Sequence, residues 1–259
     1  FGSLIRSLIF SPYGAVLYGS ENKRLHEFIY TLLNYYRSAD GGNIMSAENF
    51  NDGVISLLRT ESAFVSRILQ QQNYDVLLEM GCDLARSYDI ARMHEIHYIG
   101  IDIRKNVIDA LLERAARSNM YERALFINDN VLNINKISLK YQLNQTTLCL
   151  LPFNLIGNFT DLETLFSVYA EASMDVVVSS WQCSPQASIA RSDYYTNCGI
   201  SDLDFIETDI SHCFTRSGFR SEAYSQQHLN QVASQYGFVL IEAFATSLIQ
   251  CLYFRRQEA

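Results

Sequence analysis

Apolar positions along this chain first repeat at helical spacing and then gather into short strand-like runs. Between residues 23 and 37, Leu25, Phe28, Ile29, Leu32, Leu33 and Tyr36 share one face, the three-and-four spacing of an amphipathic helix. Ser46 and Thr60 each read as caps of a further helix, one carrying Phe50, Val54, Leu57 and Leu58, the other Phe64, Ile68 and Leu69. From residue 74 the pattern changes. Apolar runs at 74–80, 97–103, 124–128, 147–153 and 175–180 read as strands, and the run at 147–153 is almost unbroken, as buried parallel strands are. Helical stretches at 86–95, 106–119 and 161–172 separate most of them. Residues 181–224 are long, polar and weakly periodic, which suits a lid or binding loop. Ser225 then caps a helix at 226–235, Gly237 stops it, and two adjacent strands follow at 238–244 and 248–255. The alternation predicts an α/β fold, a parallel sheet with helices on both faces behind an all-helical front.

Composition narrows the function more than the fold. The 259 residues are 48% apolar, with only 3 prolines and 12 glycines, enough for one large core with an extension. A net charge of −8 and the lack of any basic run argue against nucleic acid as a partner. No uncharged apolar run is long enough to span a membrane. The six cysteines form no Cys-x-x-Cys pair, and His94 and His97 have no third ligand nearby, so no metal site is expected. Buried thiols in apolar runs, such as Cys149 and Cys251, fit a reducing compartment, and a soluble cytoplasmic protein is the expectation. The chain begins at Phe1 rather than Met, so further residues are expected upstream.

The stretch from Tyr74 to Asp102 carries the first chemical signal. A strand with an acid at Glu79 runs into Gly81-Cys82-Asp83-Leu84-Ala85, and after a short helix a second strand ends at Asp102. Open α/β sheets bind ligands outside the carboxyl ends of their strands, where both acids fall. This stretch resembles the first two motifs of Rossmann-like S-adenosylmethionine-dependent methyltransferases. In that family an acid-x-Gly-x-Gly-x-Gly turn follows the first strand, and an acid ending the second strand holds the ribose hydroxyls. Only Gly81 is kept here; Asp83 and Ala85 stand where the other glycines would be. The ending also resembles the family, in its helix from Ser225, its Gly237-Phe238 step and its antiparallel last strand. The resemblance implies a mostly parallel Rossmann-like sheet with the last strand antiparallel, an N-terminal helical cover at 1–73, and a core at 74–259 with a substrate lid at about 181–224.

The same resemblance assigns candidate residues. Glu79 and Gly81 would order the turn beside the methionine part of S-adenosylmethionine, and Asp83 would meet its ammonium or crowd it. Asp102 would accept hydrogen bonds from the ribose hydroxyls, or else serve as a helix cap. Asp129 or Asn130, after the third strand, would contact the adenine amino group; turn chemistry is the alternative. Phe153 would pack on the cofactor. Pro152-Phe153-Asn154 resembles in outline the Asn-Pro-Pro-Tyr step of N-methyltransferases, and Gly157-Asn158-Phe159 that of betaine-forming ones. Asn154, Tyr195 and His212 are the catalytic candidates, with Tyr194 and Asp209 as further insert residues. Trp181 is either a cationic contact or core. The expected activity is methyl transfer to nitrogen or oxygen of a small molecule, with a homodimer as an open option. The alternative is a non-catalytic module of the same fold, supported by the missing glycines. A nicotinamide dehydrogenase fits less well, because Gly-x-Gly-x-x-Gly is absent.

Overall fold

The computed structural model describes residues 44–117 and 121–257. The helix expected at 23–37 lies outside these residues. The first long element, helix α1 (Asp52–Gln71), is capped by Asn51, whose side chain accepts from the Val54 amide. The two helices expected on either side of Thr60 are therefore one. Val54, Leu57, Phe64, Val65 and Ile68 stay in phase across Thr60, and nothing there removes a backbone donor as proline would. One member of the buried stripe is not apolar: Glu61 is 2% exposed.

Strands β1 (Val76–Met80), β2 (His97–Asp102), β3 (Ala124–Asn128), β4 (Thr147–Leu151) and β5 (Asp175–Trp181) pair in parallel. The chain then builds β6 (Asp204–Glu207), β7 (Ser211–Arg216) and β8 (Phe219–Tyr224), and ends on β9 (Phe238–Ala245) and β10 (Ile249–Arg256). The main sheet has seven strands in the order β3-β2-β1-β4-β5-β10-β9. The last strand, β10, is antiparallel to both neighbours and is inserted between β5 and β9.

Helices α2 (Tyr88–Met93) and α3 (Lys105–Arg117) join α1 on one face. Phe64, Ile68, Tyr88, Ile108 and Leu111 meet Leu77, Leu148 and Val177 of the sheet there. Helices α4 (Ile134–Tyr141), α5 (Leu162–Glu171) and α7 (Gln226–Gln235) cover the other face through Ile134, Leu165, Phe166 and Leu229. Helix α4 was not expected from the sequence. Its eight residues are too few for a clear periodic signal. It stops at Gln142, which takes the left-handed backbone of a C-terminal cap at φ 56°.

The polar stretch after β5 is an ordered unit and not a loop. Helix α6 (Pro185–Asn197) starts at Ser184, which accepts from the Ala187 amide, with proline in its first turn. Strands β6, β7 and β8 form a separate antiparallel sheet. Arg191 of α6 is fully buried; it donates to the carbonyls of His212 (3.0 Å) and Ser221, and lies 4.9 Å from the Phe214 ring centre. These bonds tie α6 to β7 and β8. A third apolar cluster, with Val54, Trp181, Tyr194, Tyr195, Phe214 and Phe219, roofs the carboxyl end of the main sheet.

Candidate active site

A cleft of about 1110 Å3, its open mouth included, lies at the carboxyl ends of β1, β2, β4 and β5. That is where an open α/β sheet places its ligand. One half is made by the turns after β1 and β2; the other is made by the turn after β4, α6 and β8.

The turn after β1 keeps a shape that its sequence does not advertise. Gly81, Asp83 and Ala85 all have left-handed backbone, at φ 66°, 42° and 56°. These are the positions where the related motif has glycine, and two of the three carry a Cβ here. Left-handed backbone costs an L residue roughly 1 kcal/mol or more, so the surroundings hold the turn. Glu79 is one such support. It is fully buried and accepts from the Ser87 amide at 3.3 Å, the Ser87 hydroxyl at 2.9 Å and the Tyr98 hydroxyl. Burial pushes its carboxyl up to about 7, against the pull of Arg86. Glu79 therefore does not line the cleft; it fastens the turn from behind.

Asp102 and Asp83 face the cleft with Arg104 between them. Arg104 donates to Asp83 Oδ1 at 2.7 Å and to both oxygens of Asp102 at 3.2 Å. The Arg104 amide reaches Asp102 Oδ1 at 2.9 Å, and the Asp83 amide reaches Oδ2 at 3.1 Å. Burial works against the Arg104 charge, but the two carboxylates outweigh it and hold the guanidinium more firmly protonated than usual. Of the pair after β3, Asn130 lines the cleft. Asp129 is half-buried and serves its own turn, accepting from the Asn130 amide at 2.7 Å and the Asn133 side chain at 2.6 Å.

Beyond β4, Phe153 and Asn154 are both left-handed, at φ 46° and 60°. Glu61 holds this step from helix α1, accepting from the Phe153 amide at 2.7 Å. Burial pushes the Glu61 carboxyl up, opposed by Arg86, whose guanidinium lies 5.5 Å from the Phe153 ring centre. The Asn154 side chain donates to Ser221 Oγ at 3.2 Å and to the Glu222 carbonyl at 3.1 Å, and accepts from the Trp181 amide at 3.3 Å. Its amide is thus committed to protein partners. Tyr195 lines the cleft and its hydroxyl meets Ser221 Oγ at 2.5 Å. Phe153, Tyr194 and Phe219 complete an aromatic wall, with Tyr195 and Phe219 ring centres 5.1 Å apart. Trp181 is 1% exposed and belongs to the roof cluster, while one edge touches the cleft.

His212 lies away from the cleft. Its ring bonds Ser188 at 2.8 Å and approaches Glu207 at 3.4 Å. Asp209 is exposed at the turn before β7. Among the described residues no group of His, Cys, Asp and Glu side chains could hold a metal ion. Sequence reasoning missed Arg104, Arg86, Glu61 and the β8 residues Phe219, Arg220 and Ser221. Only Glu61 left a signal, as an acid within the apolar stripe of α1.

No family model matches the sequence, and no curated protein sequence does. Solved structures do match. A 1,6-didemethyltoxoflavin N1-methyltransferase of Burkholderia thailandensis, with its substrate and S-adenosylhomocysteine bound, superposes at TM-score 0.60 and 14% identity, covering 96% of this chain and 95% of that one. Magnesium protoporphyrin IX methyltransferase from Synechocystis, bound to S-adenosylhomocysteine, gives 0.59 and 13%, covering 89% of this chain and 100% of that one. A glycopeptide N-methyltransferase gives 0.52 and 9%, with 76% and 96% covered. The strand order, the inserted antiparallel β10 and these superpositions agree: the chain has the Rossmann-like fold of class I S-adenosylmethionine-dependent methyltransferases.

Proposed function

We propose that this protein is an S-adenosylmethionine-dependent methyltransferase acting on nitrogen or oxygen of a small molecule. The observation that carries the reading is the coincidence of two features at one cleft. A triple left-handed turn and a strand-end carboxylate, Asp102, form one half, and an aromatic wall forms the other. The first half suits the cofactor: Asp102 for the ribose, Asn130 for the adenine, Gly81 and Asp83 beside the amino acid part. Glycine suits position 81, since the backbone is left-handed at φ 66° and a Cβ would press on the Leu155 side chain at 3.3 Å. The sulfonium cofactor supplies an electrophilic methyl group. The chain's part is to hold the acceptor in line and exclude water, for which alignment contributes roughly 7–11 kcal/mol. Among the described cleft residues there is no histidine, and both carboxylates are paired with Arg104. Among the described residues positioning therefore stands out, with the Tyr195 hydroxyl, which meets Ser221 Oγ, as a cleft group able to handle a proton. The α6 and β6–β8 unit would close the substrate half as a lid.

The second reading, a module of this fold without cofactor, is favoured by one observation, the complete engagement of Asp102. Calorimetric titration with S-adenosylmethionine and S-adenosylhomocysteine separates the two. Binding is expected, weakened about tenfold or more in Asp102→Ala. Undiminished binding by Asp102→Ala, or no binding by the wild type and by a variant without the Arg104 guanidinium, would sink the methyltransferase reading.

A further inference from the structure

We propose that Arg104 is a latch on the cofactor site, a side chain of the chain itself that occupies the acceptors meant for the ribose. This inference rests on the methyltransferase reading. A carboxylate offers about four lone-pair sites. On Asp102, Oδ1 accepts from the Arg104 amide at 2.9 Å and from Arg104 Nε at 3.2 Å. Oδ2 accepts from the Asp83 amide at 3.1 Å and from Arg104 Nη2 at 3.2 Å. Each of its sites is met by the chain itself, and the residue is 3% exposed.

The four donors are of two kinds. The two amides belong to the turns after β1 and β2 and stay with the backbone. The two guanidinium donors belong to a side chain that can rotate away. Its departure frees one acceptor on each oxygen, the pattern that two vicinal hydroxyls require. Arg104 also gives up Asp83 Oδ1, to which it donates at 2.7 Å. Cofactor binding is then an exchange, in which two neutral hydroxyl donors replace a forked cation. Charge-assisted pairs are the stronger kind, so the exchange costs affinity. The latch is a specificity device as well: a ligand lacking the vicinal pair does not repay the loss of the guanidinium.

The test is calorimetric titration of S-adenosylhomocysteine into the wild type, Arg104→Met, Arg104→Lys, Asp102→Asn and the double variant Asp102→Asn with Arg104→Met. Methionine keeps the apolar stem and removes every donor. The latch predicts binding about tenfold tighter in Arg104→Met than in the wild type. Arg104→Lys, which keeps the charge without the fork, falls between the two. In the Asp102→Asn background the gain disappears, since there is no carboxylate to compete for. Thermal unfolding confirms that each variant is folded, and Arg104→Lys alone carries the comparison should methionine disturb the turn. Equal or weaker binding by the folded Arg104 variants overturns the latch while leaving the methyltransferase reading intact. Absence of binding in every form overturns that reading, and the latch with it.

Discussion

At the scale of single residues, Ala85 sets two small energies against each other. Its backbone is left-handed at φ 56°, yet its methyl is 5% exposed within the cluster under α1 and α2. Glycine would relieve roughly 1 kcal/mol of strain and forgo about 0.8 kcal/mol of methyl burial. Ala85→Gly should therefore leave stability within about 0.5 kcal/mol of wild type in urea denaturation. Gln142, with nearly the same φ but an exposed side chain, has no such offset. Gln142→Gly should stabilise by about 0.5–1 kcal/mol in the same assay. Glu79 gives a pH signature. Its folded carboxyl lies near 7 against an ordinary value of 4.5, so folding holds a proton that the unfolded chain releases. Stability should then fall as pH rises between these values, by a few kcal/mol at most. Denaturation midpoints across that window measure the slope, and Glu79→Gln should flatten it.

At the scale of elements, the turn after β4 is the joint between the halves of the cleft. A Cβ on Gly157 would collide with the Glu222 carbonyl and with Nδ2 of the Asn154 side chain, so β8 rests directly on this turn. Gly157→Ala should destabilise by about 2 kcal/mol or more, and its near-ultraviolet dichroism should report loosened aromatics around Phe153 and Phe219. How much of this was legible in the sequence depends on whether a feature is local. The helix after Ser225 was legible because Ser225 accepts from the His228 amide in a strong local cap. The five parallel strands were legible because buried strands are continuous apolar runs. The small sheet was not. On β6 every residue is exposed, and β7 and β8 owe their burial to partners far along the chain: α6 through Arg191, the turn after β4, and the roof cluster. The joining of the two helices on either side of Thr60 was hidden by that capping residue, which finds itself mid-helix. In the site, Asp102, Gly81, Phe153 and the pair Asp129 and Asn130 were legible from strand ends and the resemblance together, but which of the pair lines the cleft was not. Nor was Arg104, because its role depends on a side chain folding back over Asp102.

At the scale of the whole molecule, the sheet carries both halves of the cleft on parallel strand ends, while the roof comes from chain inserted after β5. Ligand bound there couples the turns after β1, β2 and β4, and so should stabilise the folded state as a whole. With S-adenosylhomocysteine at about a hundredfold excess over its Kd, unfolding free energy should rise by about 2.7 kcal/mol, read as a higher urea midpoint. Asp102→Ala at the same ligand concentration should show a smaller rise. No described helix is long and apolar enough to cross a membrane.

The left-handed turn at Gly81, Asp83 and Ala85 has a consequence for descent. Aspartate and alanine codons each lie a single base from glycine, and the shape of the loop is already the one glycine prefers. Substitution in either direction at Ala85 is close to neutral in free energy, so glycine there is not required to keep this backbone. A turn of this shape is recognised in its dihedral angles where the letters do not mark it.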